Sequence, residues 1–154
     1  MKRDSFHIQP TCLGAVVAVD ARSTRSFARH THDEFGVGVM TDGAQRSGSG
    51  RGSVEAVRGN IITVNPAELH DGALIGTARS WSMLYLPQNV VGTIVADLEE
   101  GRCSTRELHA PVVDDQGDAT SILSVMPMSF PGGRGTASGR GCYGIYAVMP
   151  NGRS

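Results

Sequence analysis

The chain has 154 residues, 40% of them hydrophobic, and a formal net charge of −1 from 14 Lys and Arg against 15 Asp and Glu. That is roughly one domain with a single core; the hydrophobic content excludes wholesale disorder, and the balanced charge supplies no overall field for nucleic acid or acidic lipid. No run approaches ~18 apolar residues, which excludes a membrane-spanning helix, and the start Met-Lys-Arg-Asp lacks the apolar core of a signal peptide. Cys12, Cys103 and Cys142 are far apart and odd in number, as expected of a reduced, cytoplasmic chain. Charge is uneven along the chain: residues 1–118 hold all 15 acids, whereas 119–154 hold Arg134, Arg140 and Arg153 and no acid.

In chain order, Leu13-Gly-Ala-Val-Val-Ala-Val19 reads as a strand, and Phe35-Gly-Val-Gly-Val-Met40 as a strand with one tightly packed face. Thr41-Asp-Gly-Ala44 predicts a hairpin turn, because glycine tolerates positive φ. Arg51-Gly52 and Arg58-Gly59 mark further turns flanking the strand-like runs Ser53–Val57 and Asn60–Val64, and Pro66 stops the second run. Ser80–Leu86 alternates, with Trp81, Met83 and Tyr85 on one face and Leu84 and Leu86 on the other. This spacing of short strands predicts an antiparallel sandwich or barrel.

After Pro87 the period changes. Val90, Val91, Ile94, Val95 and Leu98 predict an amphipathic helix near 89–100, with Asn89 as its cap and Gly101 as its end. A second helix is predicted from about Asp118 to Val125, stopped by Pro127. From Met126 onward, seven glycines and three prolines in 29 residues predict irregular chain, above all over 131–141.

The chemistry-bearing segments are Arg29-His-Thr-His-Asp-Glu-Phe35 and Asn65-Pro-Ala-Glu-Leu-His-Asp-Gly72. Two-residue spacing on a strand places His30, His32 and Glu34 on one face. Imidazoles gathered at a barrel mouth either bind a metal or hydrogen-bond the backbone and shape a pocket rim. Trp81 and Tyr85 stack on a ligand or pack as ordinary core. No GxSxG elbow or triad spacing is present, and Gly48-Ser-Gly-Arg-Gly52 lies between strands, so it is read as a loop without phosphate-binding character.

Taken in linked order, Arg29–Glu34, Gly43-Ala-Gln-Arg46, Gly59–Gly72 and Met83-Leu-Tyr-Leu86 resemble the amino-terminal sensing domain of AraC-family transcriptional regulators, itself similar to cupins. The resemblance covers about residues 13–115 and implies a mainly β, cupin-like double-stranded β-helix (a jelly-roll barrel) followed by one or two short helices. It divides the chain into an N-terminal segment 1–12, an effector-binding domain 13–115, and an atypical Gly/Pro-rich tail 116–154 read as frame-altered. It implies effector-binding residues His30, His32, Glu34, His70, Trp81 and Tyr85, a small polar effector, a homodimer, no catalytic residues and no cofactor. A metal-binding cupin carries an acidic ligand where this chain has Gly36 and Val37, and its proline-to-histidine spacing is one residue longer than PAELH. Ligand counting therefore favours a metal-free site; a metal, if present, would be held by His30, His32 and His70. Family regulators also bind promoters through two helix-turn-helix motifs, roughly another hundred residues. Nothing after residue 101 reads as one, so no direct DNA binding is expected of this chain. The alternative function is a small metal-dependent cupin enzyme, a dioxygenase or isomerase.

Overall fold

Two long strands organise the structure. The computed structural model describes residues 4–99 and 107–127. In it β4 (Phe35–Ser49) and β7 (His70–Leu86) run antiparallel over nearly their whole lengths, from Phe35 opposite Leu86 to Arg46 opposite Ala73. The first half of β4 also pairs with β6 (Ile61–Val64) and its second half with β5 (Gly52–Val57). The end of β7 pairs with β2 (Val17–Ser23), and its start with β3 (Phe27–His30). β1 (Ser5–Pro10) adds to β2 and the short β8 (Val112–Val113) to β6. Because β4 and β7 each change neighbours midway, both contribute to two walls, and the sheet is the cupin-like double-stranded β-helix.

Alternation separates two apolar clusters. Val37, Val39, Leu84 and Leu86 face the helices, where Val91 and Ile94 of α1 (Gln88–Glu99) and Ala119, Ile122 and Val125 of α2 (Gln116–Val125) join them. Each such Leu, Ile or Val contributes about 1.5–3 kcal/mol on burial. Trp81, Met83 and Tyr85 face the other way, with Met40 and Ile62. Gly38 makes the second face possible: a Cβ there would overlap the Ser82 carbonyl and come within 2.8 Å of the Met83 sulfur.

Several sequence expectations shift. The strand expected over 13–19 begins only at Val17, because Gly14 takes φ +63° and Thr11 Oγ1 occupies backbone groups of Leu13 and Val16 in a turn. Asp42-Gly43 does not end a strand. Gly43, at φ +71°, sits in a bulge inside β4, and its bare α-carbon lets the Ala78 carbonyl approach. Asn89 lies inside α1 rather than capping it; the Pro87 carbonyl accepts the first helical N–H groups, from Val90 and Val91. The segment 1–12 contains β1, anchored where the Asp4 carboxylate accepts from Thr24 N–H and hydroxyl, Ser23 hydroxyl and Arg25. Those bonds, led by the Thr24 backbone, hold the Asp4 pKa down to about 2. The second helix expected from about Asp118 to Val125 forms as α2 and starts two residues earlier, within the stretch assigned to the tail, capped by Asp115 accepting from Asp118 N–H. Cys12 is disulfide-bonded, which corrects the expectation of a fully reduced chain. The expected Gly101 helix end and the irregular 131–141 lie outside the described residues. Among the described residues, no helix is long and apolar enough to cross a membrane.

Candidate functional site

A cavity of about 100 Å³ opens between the two sheet walls on the face carrying Trp81, Met83 and Tyr85. It is smaller than the ~150 Å³ engineered apolar cavity that accepts benzene, so the space suits a small molecule. Three histidines meet at it. His30 ends β3 and pairs across the ladder with His70, the first residue of β7. His32 follows in the β3–β4 connection, where its carbonyl accepts from Ala67 N–H at 2.7 Å; Ala67 adopts φ +58° in the β6–β7 loop to make that bond. The ring centroids lie 4.9 Å (His30–His32), 4.4 Å (His30–His70) and 5.2 Å (His32–His70) apart, and Tyr85 stands 5.4 Å from His32.

Backbone carbonyls fix two of the tautomers. Nδ1 of His30 lies 2.7 Å from the Ala28 carbonyl, and Nδ1 of His70 lies 2.9 Å from that of Glu68. A carbonyl only accepts, so in both rings Nδ1 carries the proton and Nε2 presents its lone pair. One donor atom from each of the three histidines lies within 4.8 Å of the others. Burial disfavours protonation of His32 and lowers its pKa; the neighbouring His30 and His70 act the same way, against an opposing pull from Glu34. Burial likewise raises the Tyr85 pKa, with the Glu34 charge adding to it. The cluster therefore offers acceptor lone pairs to a hydroxyl, an amine or a cation.

That donor set fits a late divalent metal: three imidazoles, two of them held by outer hydrogen bonds of the kind that orient metal ligands. The one-residue shortening before His70 does not prevent its convergence. The missing acid is genuinely missing, because Gly36 lies against Met83, Val64 and Tyr85 and Val37 is core.

Of the residues predicted from sequence, His30, His32, His70, Trp81 and Tyr85 line the cavity, and Glu34 does not. β3 ends at His30, so the strand alternation that would align Glu34 with the histidines does not extend to it; it acts on His32 and Tyr85 through its charge alone.

Sequence reasoning missed the charged wall. Arg51, in the glycine-rich β4–β5 turn read as an unremarkable loop, donates from Nε and Nη2 to Glu68, from Nη1 to Thr63 Oγ1 and the Leu108 carbonyl, and from Nη2 to the Thr63 carbonyl, at 2.7–2.9 Å. Burial works against the charge on Glu68, but Arg51 and the Ser49 and Asn65 hydrogen bonds more than offset it and lower its pKa. Asp71 accepts from Gly48 N–H at 2.7 Å and faces Arg29 at 3.7 Å. Arg79, 1% exposed, lies on β7 two residues before Trp81. One step back along the Trp81–Met83–Tyr85 alternation would have found it.

A small β-barrel whose long strands flank a histidine-lined cavity defines the class of cupin-like domains. More narrowly, the sequence profile of AraC-like ligand-binding domains matches residues 13–118, and the chain belongs to that family. Among solved structures it is similar to a protein of unknown function from Rhizobium leguminosarum bv. viciae 3841, with 11% identity over 57% of this chain and 85% of that one and a TM-score of 0.50. A Cupin 2 conserved barrel domain protein from Salinispora arenicola gives 12%, 61%, 84% and 0.48, and a mutant of Bacillus subtilis oxalate decarboxylase OxdC gives 13%, 56%, 26% and 0.48, in the same order. No curated protein is significantly similar to the chain.

Proposed function

We propose that the barrel is the effector-sensing and dimerisation module of an AraC-type transcriptional regulator, acting as a homodimer. The observation that carries this reading is the convergence of His30, His32 and His70 on an open-mouthed cavity within an AraC-like ligand-binding domain. A small polar effector donates to the imidazole lone pairs and stacks against Tyr85 or Trp81. Its differential affinity for one arrangement of the module shifts the population toward that arrangement. A thermal-shift screen with amino acids, sugars and aromatic acids tests it. A binder well above its dissociation constant raises stability by ~2–4 kcal/mol, and His70→Ala abolishes the response. If no compound stabilises the chain, or His70→Ala responds as the native chain does, the sensing reading fails. Sedimentation gives the oligomeric state.

One observation favours a second reading, a small metal-dependent cupin enzyme: the same three donor atoms lie within 4.8 Å of one another. His30, His32 and His70 would hold the metal, which when bound supplies Lewis-acid polarisation of a ligand oxygen. Elemental analysis of purified protein decides. Stoichiometric metal, lost in both His30→Ala and His70→Ala, replaces the first reading with the second.

A further inference from the structure

The barrel buries a guanidinium that its own side chains leave partly unpartnered. Arg79 is 1% exposed, and of its three nitrogens only Nη2 has a partner, the Gly72 carbonyl at 3.1 Å; Nε and Nη1 have none among the described residues. Its place in the fold is fixed from three sides. The guanidinium carbon lies 5.1 Å from the Phe27 ring centre and 5.3 Å from that of Trp81. A Cβ built on Gly72 would point at Nη2, 3.3 Å away, with Gln45 Oε1 at 3.9 Å. Gly72, Gln45 and Trp81 are all cavity wall, so the cation packs directly behind that wall, with Nη2 against Gly72.

Ring faces compensate only part of the cost of a buried cation, and unpartnered buried N–H groups add to it. Among the described residues, the acid that acts on Arg79 and the two acids of the cavity wall are occupied. Asp4, whose charge favours the protonated Arg79, already accepts from Ser23, Thr24 and Arg25. Glu68 is bound by Arg51, and Asp71 by Gly48 N–H and Arg29. Unused donor capacity at Arg79 thus lies behind one end of the cavity wall, covered by Trp81 and Gly72, and imidazole lone pairs line the other end, with His70 and Gly72 two residues, about 6.6 Å, apart along β7.

We propose that Arg79 is the anion-binding residue of the barrel, and that the ligand class is a small carboxylate bearing a hydrogen-bond donor at its far end, such as a hydroxy or amino acid. The inference rests on the sensing reading and narrows it. The carboxylate oxygens accept from the unpartnered N–H groups in a charge-assisted contact, and the ligand's donor reaches the histidines. Entry at Arg79 displaces the edge of Trp81, which is the chain's single tryptophan.

Tryptophan fluorescence therefore reads this subsite directly. The full chain is titrated with acetate, lactate, alanine and benzoate, each paired with its neutral amide, and with glucose as an uncharged polyol. The expected result is a saturable Trp81 signal for at least one acid, at tenfold or more lower concentration than for its amide. Arg79→Met removes that preference and Arg79→Lys weakens it, with the melting temperature of ligand-free Arg79→Met equal to or above the native value. Equal responses to acid and amide, or an acid preference that survives in Arg79→Met, overturn the proposal. A lowered melting temperature in ligand-free Arg79→Met, with no acid preference in Arg79→Lys or the native chain, assigns Arg79 a packing role and overturns it too. Binding of glucose alone, unchanged by Arg79→Met, overturns the anion subsite and leaves the sensing reading standing. No response to any of these compounds overturns the carboxylate proposal, whereas the sensing reading falls only on the broader screen.

Discussion

Two guanidinium groups, one in the cavity wall and one behind it, are treated in opposite ways. All five N–H donors of Arg51 are bonded, to Glu68, Thr63 and the Leu108 carbonyl, so one side chain joins the β4–β5 turn, β6, the β6–β7 loop and the segment after residue 107. Arg79, more deeply buried, has one bond and two ring faces. A saturated cation of this kind is a clamp: its value lies in what it holds together, and it has nothing left to offer a ligand. An unsaturated one destabilises the barrel as it stands and keeps its donors for something else. Burial alone does not tell the two apart; the count of satisfied donors does.

The largest effect is expected from breaking the clamp. Glu68→Ala leaves Arg51 at 17% side-chain exposure without its bidentate partner and also frees the Asn65 N–H that Glu68 accepts. Removing one member of such a pair costs about 3 kcal/mol, the low end of the range because solvent still reaches the site. Urea unfolding measures it. The parallel change at the other cation, Arg79→Met, is expected to cost nothing or to stabilise. If both variants lose similar stability, the distinction between clamp and reserve collapses.

Thr63→Val is the next step down. It removes the hydroxyl that accepts from Arg51 Nη1 and donates to the Ala110 carbonyl at 2.6 Å, while keeping shape and β-propensity. One donor and one acceptor are left unmade in a part-buried site, for a loss of about 1–2 kcal/mol. An unchanged unfolding midpoint would show that water replaces the hydroxyl and that the clamp rests on Glu68 alone.

How far this could be read from sequence differs between the two ends of the cavity. The histidine end was legible because residue type and spacing both pointed to it, and the trio converges although its members come from a strand end, a connection and a strand start. Glu34 was misplaced because alternation was extended past the last residue of β3. The arginine end was not legible. Arg51 looked like a charge in a glycine-rich turn, and only the fold brings Glu68 and Leu108 to it. Likewise, Asp42-Gly43 carries the local signature of a turn, but pairing with β7 on both sides of it keeps β4 running and turns the glycine into a bulge.

Between the two cations, the imidazoles give the cavity a pH dependence of their own. The His32 pKa is lowered in the fold chiefly by burial. The unfolded chain therefore takes up this proton first as pH falls, and stability declines from the ordinary imidazole value near 6.5 down to the lowered folded value, then levels off; above 6.5 the full stability is present. His32→Ala removes this contribution and flattens the stability profile below pH 6.5, read from urea midpoints between pH 5 and 8. A profile that keeps its slope assigns the effect to other groups.

The smallest effect is expected where a cation has solvent as an alternative partner. Arg46 and Glu55 face each other across β4 and β5 at 2.6 Å, with side chains 60% and 56% exposed. Geometrically this pair is as short as any bond Arg51 makes, yet water solvates both charges when they part, and salt screens them when they do not. Glu55→Ala should change stability by less than about 0.5 kcal/mol and still less at raised ionic strength, measured by urea unfolding in parallel with Glu68→Ala. Equal losses at the two sites would mean that distance, rather than the absence of water, sets the worth of a guanidinium–carboxylate pair in this barrel. Burial would then no longer give Arg79 a need for a partner.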